Sequence, residues 1–376
     1  MTDNIGENMR RVWSRDLHNL VSGIRDGTFK YEEKPKKSID WSSYNEAQLN
    51  ELADMLKIIK DSVDIAAHNI RETHTKIKGP GRPRFPNGDV TKALLLQSYF
   101  GASDRLAAGL LKVFDSKLGI SKDFSYKTIE RGYDPERTKE ILDEVFRLTN
   151  EWSNSNETTF GVDGSGDPTT MKVNYESKRA QQRKEREEKD DSEQMVDAWP
   201  SKKKDFQYSV ISSGIHTKII AGFSTSSNHH IGELSHFPEV MRQTYENAPN
   251  MKIMLGDPLY ANRPVCNLTY YYDVSLYSLP KSNVTLKNKG CRDWSRMLCE
   301  LILDPQGFLQ VYHDRSISET VNSMMKRREL TPIRKRLDCR KDTEECLKIN
   351  IHNLRQSCYL TYLAPQLTKL QKYQGG

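Results

Sequence analysis

The sequence predicts an α/β protein: a mixed sheet flanked by helices, preceded by a mostly helical N-terminal region. Three observations carry that expectation. Apolar residues recur at helical spacing through the first part of the chain. Past residue 157 the texture changes to short β-branched runs bounded by Gly, Pro, Ser or Asp. Those runs come as three strands close together, then helix, strand, helix, strand, helix, the order of a sheet with mixed pairing. With 376 residues the chain can hold two or three domains and at least one sizeable core; 36% hydrophobic against 29% charged residues leaves part of it extended or linker-like.

Residues 1–40 are charged and weakly periodic, with KPKK at 34–37, and read as a flexible or marginally helical arm. A helical region, 41–152, follows. Its first helix is NEAQLNELADMLKIIKDSVDIAAHNIRE, from residue 45 to about 72, ended by the Gly- and Pro-rich KIKGPGRPRFPNGD. From Asp89, VTKALLLQSYF, a GAS turn and DRLAAGLLKVFDSKL precede the short, polar-faced FSYKTIERG, and PERTKEILDEVFRLTNEW closes the region. Short helices with tight turns over 89–133 fit a helix-turn-helix-like module, with Tyr126, Lys127, Thr128 and Arg131 on the candidate reading helix. A plain helical bundle is the alternative.

The third region, 153–376, holds the strands TTFGVDGSG, FQYSVISSGI, TKIIAGFSTS, KIMLGD and VSLYSLP. Helices are expected at about 233–247 and 262–272, with a final one at 315–329. Residues 176–205, rich in charges of both signs, read as a solvated helical or disordered insertion.

Charge is concentrated. Residues 326–341, KRRELTPIRKRLDCRK, hold eight Lys/Arg against two acids, which equals the +6 of the whole chain. A basic block of this kind fits a polyanion, because neutralising phosphates is the main source of non-specific DNA affinity; a basic face turned only to water is the alternative. GPGRPRFP has the Arg-Pro-Arg core of a minor-groove hook with Arg82 and Arg84 as contacts, and reads equally as a basic linker.

Two acids end apolar strand-like runs, Asp163 and Asp257. Ligands in open α/β sheets gather at the carboxyl ends of strands, although either acid alone could simply form a turn. A third acid lies in YHDRSISETVNSMMK (312–326). On one α-helix, Tyr312, Arg315, Glu319 and Lys326 fall within roughly 60° of each other, opposite Ile317, Val321, Met324 and Met325. A solvated face with an Arg315–Glu319 pair is the plainer reading. Three carboxylates brought together repel unless cations neutralise them or they protonate. An all-oxygen set favours Mg²⁺ or Mn²⁺ over zinc and suits phosphoryl transfer with two ions. Asp167 could replace Asp163, but it lies beyond GSG, where the backbone is less fixed.

Tyr312, Arg315, Glu319 and Lys326 match the Y-x2-R-x3-E-x6-K signature of bacterial and archaeal insertion-sequence DDE transposases at every spacing. VDGSG resembles the family's first-Asp strand, MLGDPLYAN its second, SLYSLPKSN its later strand, and residues 326–354 the tail beyond the catalytic Glu. The similarity spans about 157–360. It implies a ribonuclease H-like catalytic domain in which Asp163, Asp257 and Glu319 hold two Mg²⁺ or Mn²⁺ ions. DNA would be cut at the element's terminal repeats, and the freed 3′-hydroxyl joined to target DNA. Arg315, Lys326, Arg327 and Arg328 would contact phosphates, and Tyr312 the DNA near the cut. Asp257 departs from the family in preceding Pro-Leu-Tyr rather than Lys-Gly-Tyr. The stretch from Asp257 to Glu319 is too short for a large inserted β-domain, which puts a hairpin-forming mechanism in doubt.

The remaining expectations follow. The partner is double-stranded DNA, bound by a homodimer; the location is the prokaryotic cytoplasm, on the nucleoid. No apolar run approaches bilayer length, and MTDNIGENMRR lacks the apolar segment of a secretion signal. Six scattered cysteines read as free thiols, and the spacings of Cys339, Cys346, His352 and Cys358 do not fit zinc-finger arrangements. No Ser-His-Asp order or Walker loop occurs. A DNA-binding regulator that no longer cuts, and a ribonuclease H-like nuclease without strand transfer, stay open as alternatives.

Overall fold

A computed structural model of the chain describes residues 2–35, 38–71, 85–172, 204–228, 231–287, 289–328 and 332–370. Six helices come first: α1 (Thr2–Asp26), α2 (Trp41–Arg71), α3 (Asn87–Phe100), α4 (Asp104–Leu118), α5 (Tyr126–Gly132) and α6 (Pro135–Ser153). The sheet follows with β1 (Thr159–Lys172), β2 (Lys204–Gly214), β3 (Ile220–Ser226), α7 (Glu233–Asn247), β4 (Ile253–Leu255), α8 (Arg263–Tyr271) and β5 (Ser275–Tyr277). Helices α9 (Arg292–Leu303), α10 (Pro305–Tyr312), α11 (Ser316–Arg328) and α12 (Asp338–Leu363) complete the chain. None of the described helices is long and apolar enough to cross a membrane.

The five strands lie in the order β3-β2-β1-β4-β5. β1, β2 and β3 pair antiparallel, while β4 and β5 run parallel to β1. The mixed pairing expected from the element order is therefore present. Alternation along β1 splits its residues between two faces. Phe160 and Val162 join Val210, Phe237, Met254 and Trp294 in one core, and Leu17 and Val21 of α1 reach into it. Ile211, on the other face, packs with Phe146, Val321, Met325 and Ile349.

A third core joins the N-terminal helices to the end of the chain. Met55, Ile59, Leu94, Leu142 and Trp152 pack with Leu347, Ile351 and Leu354 of α12. The 152/153 boundary drawn from the sequence thus precedes every described strand but does not divide one hydrophobic core from another. α12 also closes the sheet's edge. Asn353 Nδ2 donates to Ile220 O and its Oδ1 accepts from Ile220 N, each at 2.8 Å, a neighbouring strand's pair of bonds made by one side chain.

Several expectations need correcting. The supposed arm contains α1, anchored by His18 Nε2 at 2.7 Å from Val284 O and by Arg25 Nη2 donating to Pro280 O at 3.0 Å. The helix at 315–329 is not the final element, because the 26-residue α12 follows it. Nor do Tyr312 and Lys326 share one α-helix. α10 ends at Tyr312, a 3-10 turn covers His313–Arg315, and α11 begins at Ser316. On α11, Val321 and Met325 are buried but Ile317 and Met324 only half so; Ser318 and Asn322 take the remaining buried places.

The basic block is not uniformly outward either. Lys335 Nζ lies 2.9 Å from Asp104 Oδ1 and 3.9 Å from the Tyr133 ring centroid. Arg340 pairs with Asp134 at 2.8 Å, and the Arg334 and Lys335 amides donate to Glu344. Lys335 and Arg340, two of its eight basic residues, thus tie the end of the chain to the helical region. Lys326 and Arg327 remain exposed.

Candidate active site

β1 and β4 run side by side with Gly161 opposite Leu255. Asp163 and Asp257 each stand two residues beyond that pair and so lie in step. Asp257 is just past the end of β4, but Asp163 lies inside β1, which runs on to Lys172 against β2 rather than ending at Asp163 as the sequence suggested. Asp163 shares the face of Gly161, where α11 crosses. A Cβ on Gly161 would stand 3.2 Å from Ser318 Cβ, so the glycine lets the helix approach. One turn on, Asn322 Nδ2 donates to Asp163 Oδ2 at 2.8 Å. The Asp257 turn is held by its own atoms: Oδ1 accepts from Leu259 N at 2.8 Å, and the carbonyl accepts from Ser278 Oγ at 2.6 Å.

Burial pushes the Asp163 carboxyl above the usual aspartate range; the Asn322 bond opposes this, and the charges of Glu233 and Glu319 add to it. Glu319 is more than half exposed and binds Arg315 Nη1 at 2.7 Å. Arg315 lies within electrostatic range of Tyr312, Glu319 and Asp163, and its guanidinium is 5.7 Å from the Tyr312 ring centroid. Tyr312 is only 6% exposed. Burial raises its hydroxyl, Arg315 opposes that, and Asp257 adds to it. The three acids, Tyr312 and Arg315 thus form one electrostatic neighbourhood.

The acids do not form a closed ligand set as they stand. Among the described residues, no three His, Cys, Asp or Glu side chains converge closely enough to hold an ion. Glu319 is turned to Arg315 and Asp163 to Asn322. The donor chemistry still fits a hard divalent cation: all ligating atoms are carboxylate oxygens, and the like charges around Asp163 oppose its ionisation. The backbone beyond GSG is not loose as expected, since Asp167 lies in β1 opposite Gln207. Asp167 is instead engaged elsewhere, 2.7 Å from Lys348 Nζ.

Other expected residues lie further off. Lys326 and Arg327 follow Glu319 by about two turns of α11, roughly 10 Å along the axis. Lys127 and Arg131 are exposed on α5, a helix of seven residues whose N-terminus is capped by Ser125 Oγ accepting from Thr128 N. Arg82 and Arg84 lie outside the described residues, as do the Arg328 side chain and residues 176–203. Beside Asp257, Arg25, Pro258, Leu259, Leu279 and Lys281 line a groove of about 580 Å³.

Four residues at the site escaped the sequence reading: Glu233, Tyr208, Tyr260 and Asn322. Glu233 Oε2 accepts from Tyr208 Oη at 2.9 Å and its Oε1 from Tyr260 Oη at 2.7 Å. Asn322 sits three residues after Glu319, on the same helical side as Ser318; that offset was its one legible signal.

No protein-family model matches the chain, and no curated protein does. Among solved structures it is similar to a chain in the crystal structure of a pre-cleavage Mos1 transpososome. The match has 11% identity, covers 79% of this chain and 84% of that one, and has a TM-score of 0.20. A likeness at that score carries no argument about function.

Proposed function

We propose that this protein is a DDE transposase, which binds the terminal repeats of its insertion sequence and catalyses end cleavage and strand transfer on a ribonuclease H-like domain. The observation that carries the proposal is that Asp163 on β1 and Asp257 just past β4, in step on adjacent parallel strands, lie within electrostatic range of the Tyr312–Arg315–Glu319 segment. The sequence singled them out by apolar strand-like runs and by resemblance to the family's signature, and the two aspartates and that segment lie far apart in the chain. The strand order, with three antiparallel strands followed by two parallel to the first, supports the fold reading.

Asp163, Asp257 and Glu319 would hold Mg²⁺ or Mn²⁺, which supplies charge neutralisation at the scissile phosphate and an acidified water or 3′-hydroxyl. The chain's own residues do the rest. Asn322 orients the Asp163 carboxylate. Arg315 holds Glu319 through an exposed ion pair worth at most about 1 kcal/mol, so little opposes the rotation of Glu319 toward a ligand position. Lys326, Arg327 and Arg328 would meet DNA phosphates along α11, and Arg315 the phosphate nearest the cut. Tyr312, largely buried beneath Arg315, would set that guanidinium's position and offer the DNA only its edge. Lys127 and Arg131 on α5, with Arg82 and Arg84 before α3, would bind the terminal repeat. Two ends imply two protomers.

The test is a plasmid carrying the genomic DNA that flanks this gene, incubated with the full chain and Mg²⁺. Nicks at the repeat ends that vanish in Glu319→Gln are expected, followed by joined products. Tight binding without nicks would replace the reading by a non-cutting regulator, and cut ends that never join by a nuclease.

A further inference from the structure

Glu233 begins α7, and its carboxylate bridges two tyrosines from the two places that carry the aspartates. Tyr208 lies on β2 opposite Gly166 of β1, the strand of Asp163. Tyr260 follows Asp257 by three residues, is 0% exposed, and its amide donates to Asp257 O at 3.0 Å. One side chain therefore spans from the first strand pair to the second aspartate's turn.

The glycines flanking the aspartates make room for this bridge. Gly164, directly after Asp163, faces the side of the sheet away from α11. A Cβ there would overlap the Tyr208 hydroxyl and stand 2.7 Å from Glu233 Cδ. Gly256, directly before Asp257, would bring a Cβ within 2.8 Å of Tyr260 Cβ. The sequence reading left both glycines unexplained.

We propose that Glu233 is a positioning residue: with Tyr208 and Tyr260 it forms a strut behind the sheet rim that sets the separation of Asp163 and Asp257. The inference rests on the reading of those aspartates as a divalent-cation site. The strut acts through the backbone from the opposite face, so its span matters more than its charge. Glutamine preserves that span, since its oxygen accepts from one tyrosine and its amide donates to the other hydroxyl.

The experiment is Mn²⁺ binding to the full chain without DNA, followed by the electron paramagnetic resonance signal of free Mn²⁺ well below each variant's melting temperature. Asp163→Asn and Asp257→Asn are the references. Residues that orient a ligand typically change metal affinity by about 10–100-fold. Glu233→Ala and Gly164→Ala are each expected to weaken Mn²⁺ by about tenfold, and Glu233→Gln by no more than about threefold. Tyr260→Phe, which removes one of the two bonds, falls between. If Glu233→Ala lowers the melting temperature but leaves Mn²⁺ affinity unchanged, the strut is merely structural and the proposal fails. Equal damage from Gln and Ala would mean that charge rather than span matters, which also overturns it. Reference variants that bind Mn²⁺ like the wild type would instead remove the cation site itself, and the strut's role with it.

Discussion

Replacing Asn322 by Ala is the most informative single change, because it removes one hydrogen bond and little else. Asn322 is 8% exposed, and its amide is the side-chain donor to Asp163 Oδ2 at 2.8 Å. A hydrogen bond to a charged group contributes about 1.5–3 kcal/mol, equivalent to about one to two pKa units on the carboxyl. Without it the Asp163 pKa, already raised by burial and opposed by this bond, rises further. The sign follows from linkage. A carboxyl whose folded pKa lies above its unfolded value costs stability when ionised, and that cost disappears as pH falls through the folded pKa. Asn322→Ala should therefore be less stable than wild type by about 1.5–3 kcal/mol near pH 7, and the gap should narrow in acid. Urea unfolding of metal-free protein across pH 4–7 would measure it. Adding Mn²⁺ should also narrow the gap, since a cation takes over the stabilisation of the carboxylate. A gap that is absent at pH 7, or that widens in acid, would refute the link between Asn322 and an ionised Asp163.

Other expectations follow from the same geometry. Glu319→Gln should abolish nicking yet leave the urea midpoint almost unchanged, because its ion pair with Arg315 is exposed and worth at most about 1 kcal/mol; a large loss of stability would point to a structural role. Lys326→Ala should weaken DNA binding and reduce the slope of log affinity against log salt by about 1, and an unchanged slope would take α11 off the DNA path. Lys348→Met leaves Asp167 without its 2.7 Å partner at a buried position. Breaking such a pair costs about 3–5 kcal/mol, readable by denaturation, whereas a near-neutral effect would mean that solvent reaches the pair.

Much of the sheet was legible. β-branched runs ended by Gly, Pro, Ser or Asp marked all five strands, because a strand half or wholly buried needs that local composition wherever it sits. α7 was read at its observed bounds, and α8 to within a residue at each end. The helices α9, α10 and α12 were not read. α12 hides its role well: Lys341, Glu344, Glu345, Lys348 and Arg355 are all buried, and a charge-rich helix reads locally as a solvated one. Several ion-pair partners of this last part of the chain are distant. Lys348 finds Asp167 across 181 positions, Lys335 finds Asp104 across 231, and Arg340 finds Asp134 across 206. No window along the sequence contains both members of such a pair.

At the candidate site the division is similar. The resemblance to the Y-x2-R-x3-E-x6-K signature picked out Tyr312, Arg315 and Glu319, and apolar strand-like runs picked out Asp163 and Asp257, because those cues are carried by a few neighbouring residues. What the sequence by itself determined was which side chains could do chemistry and on which kind of element each would stand. Only the tertiary structure decided their company. It broke the stripe with a 3-10 turn, buried Tyr312, turned part of the basic block inward, and brought Asn322 to Asp163 and Glu233 between two tyrosines. These outcomes depend on the packing of α11 and α7 against opposite faces of one sheet, and packing is a property of surfaces that meet only after the chain has folded.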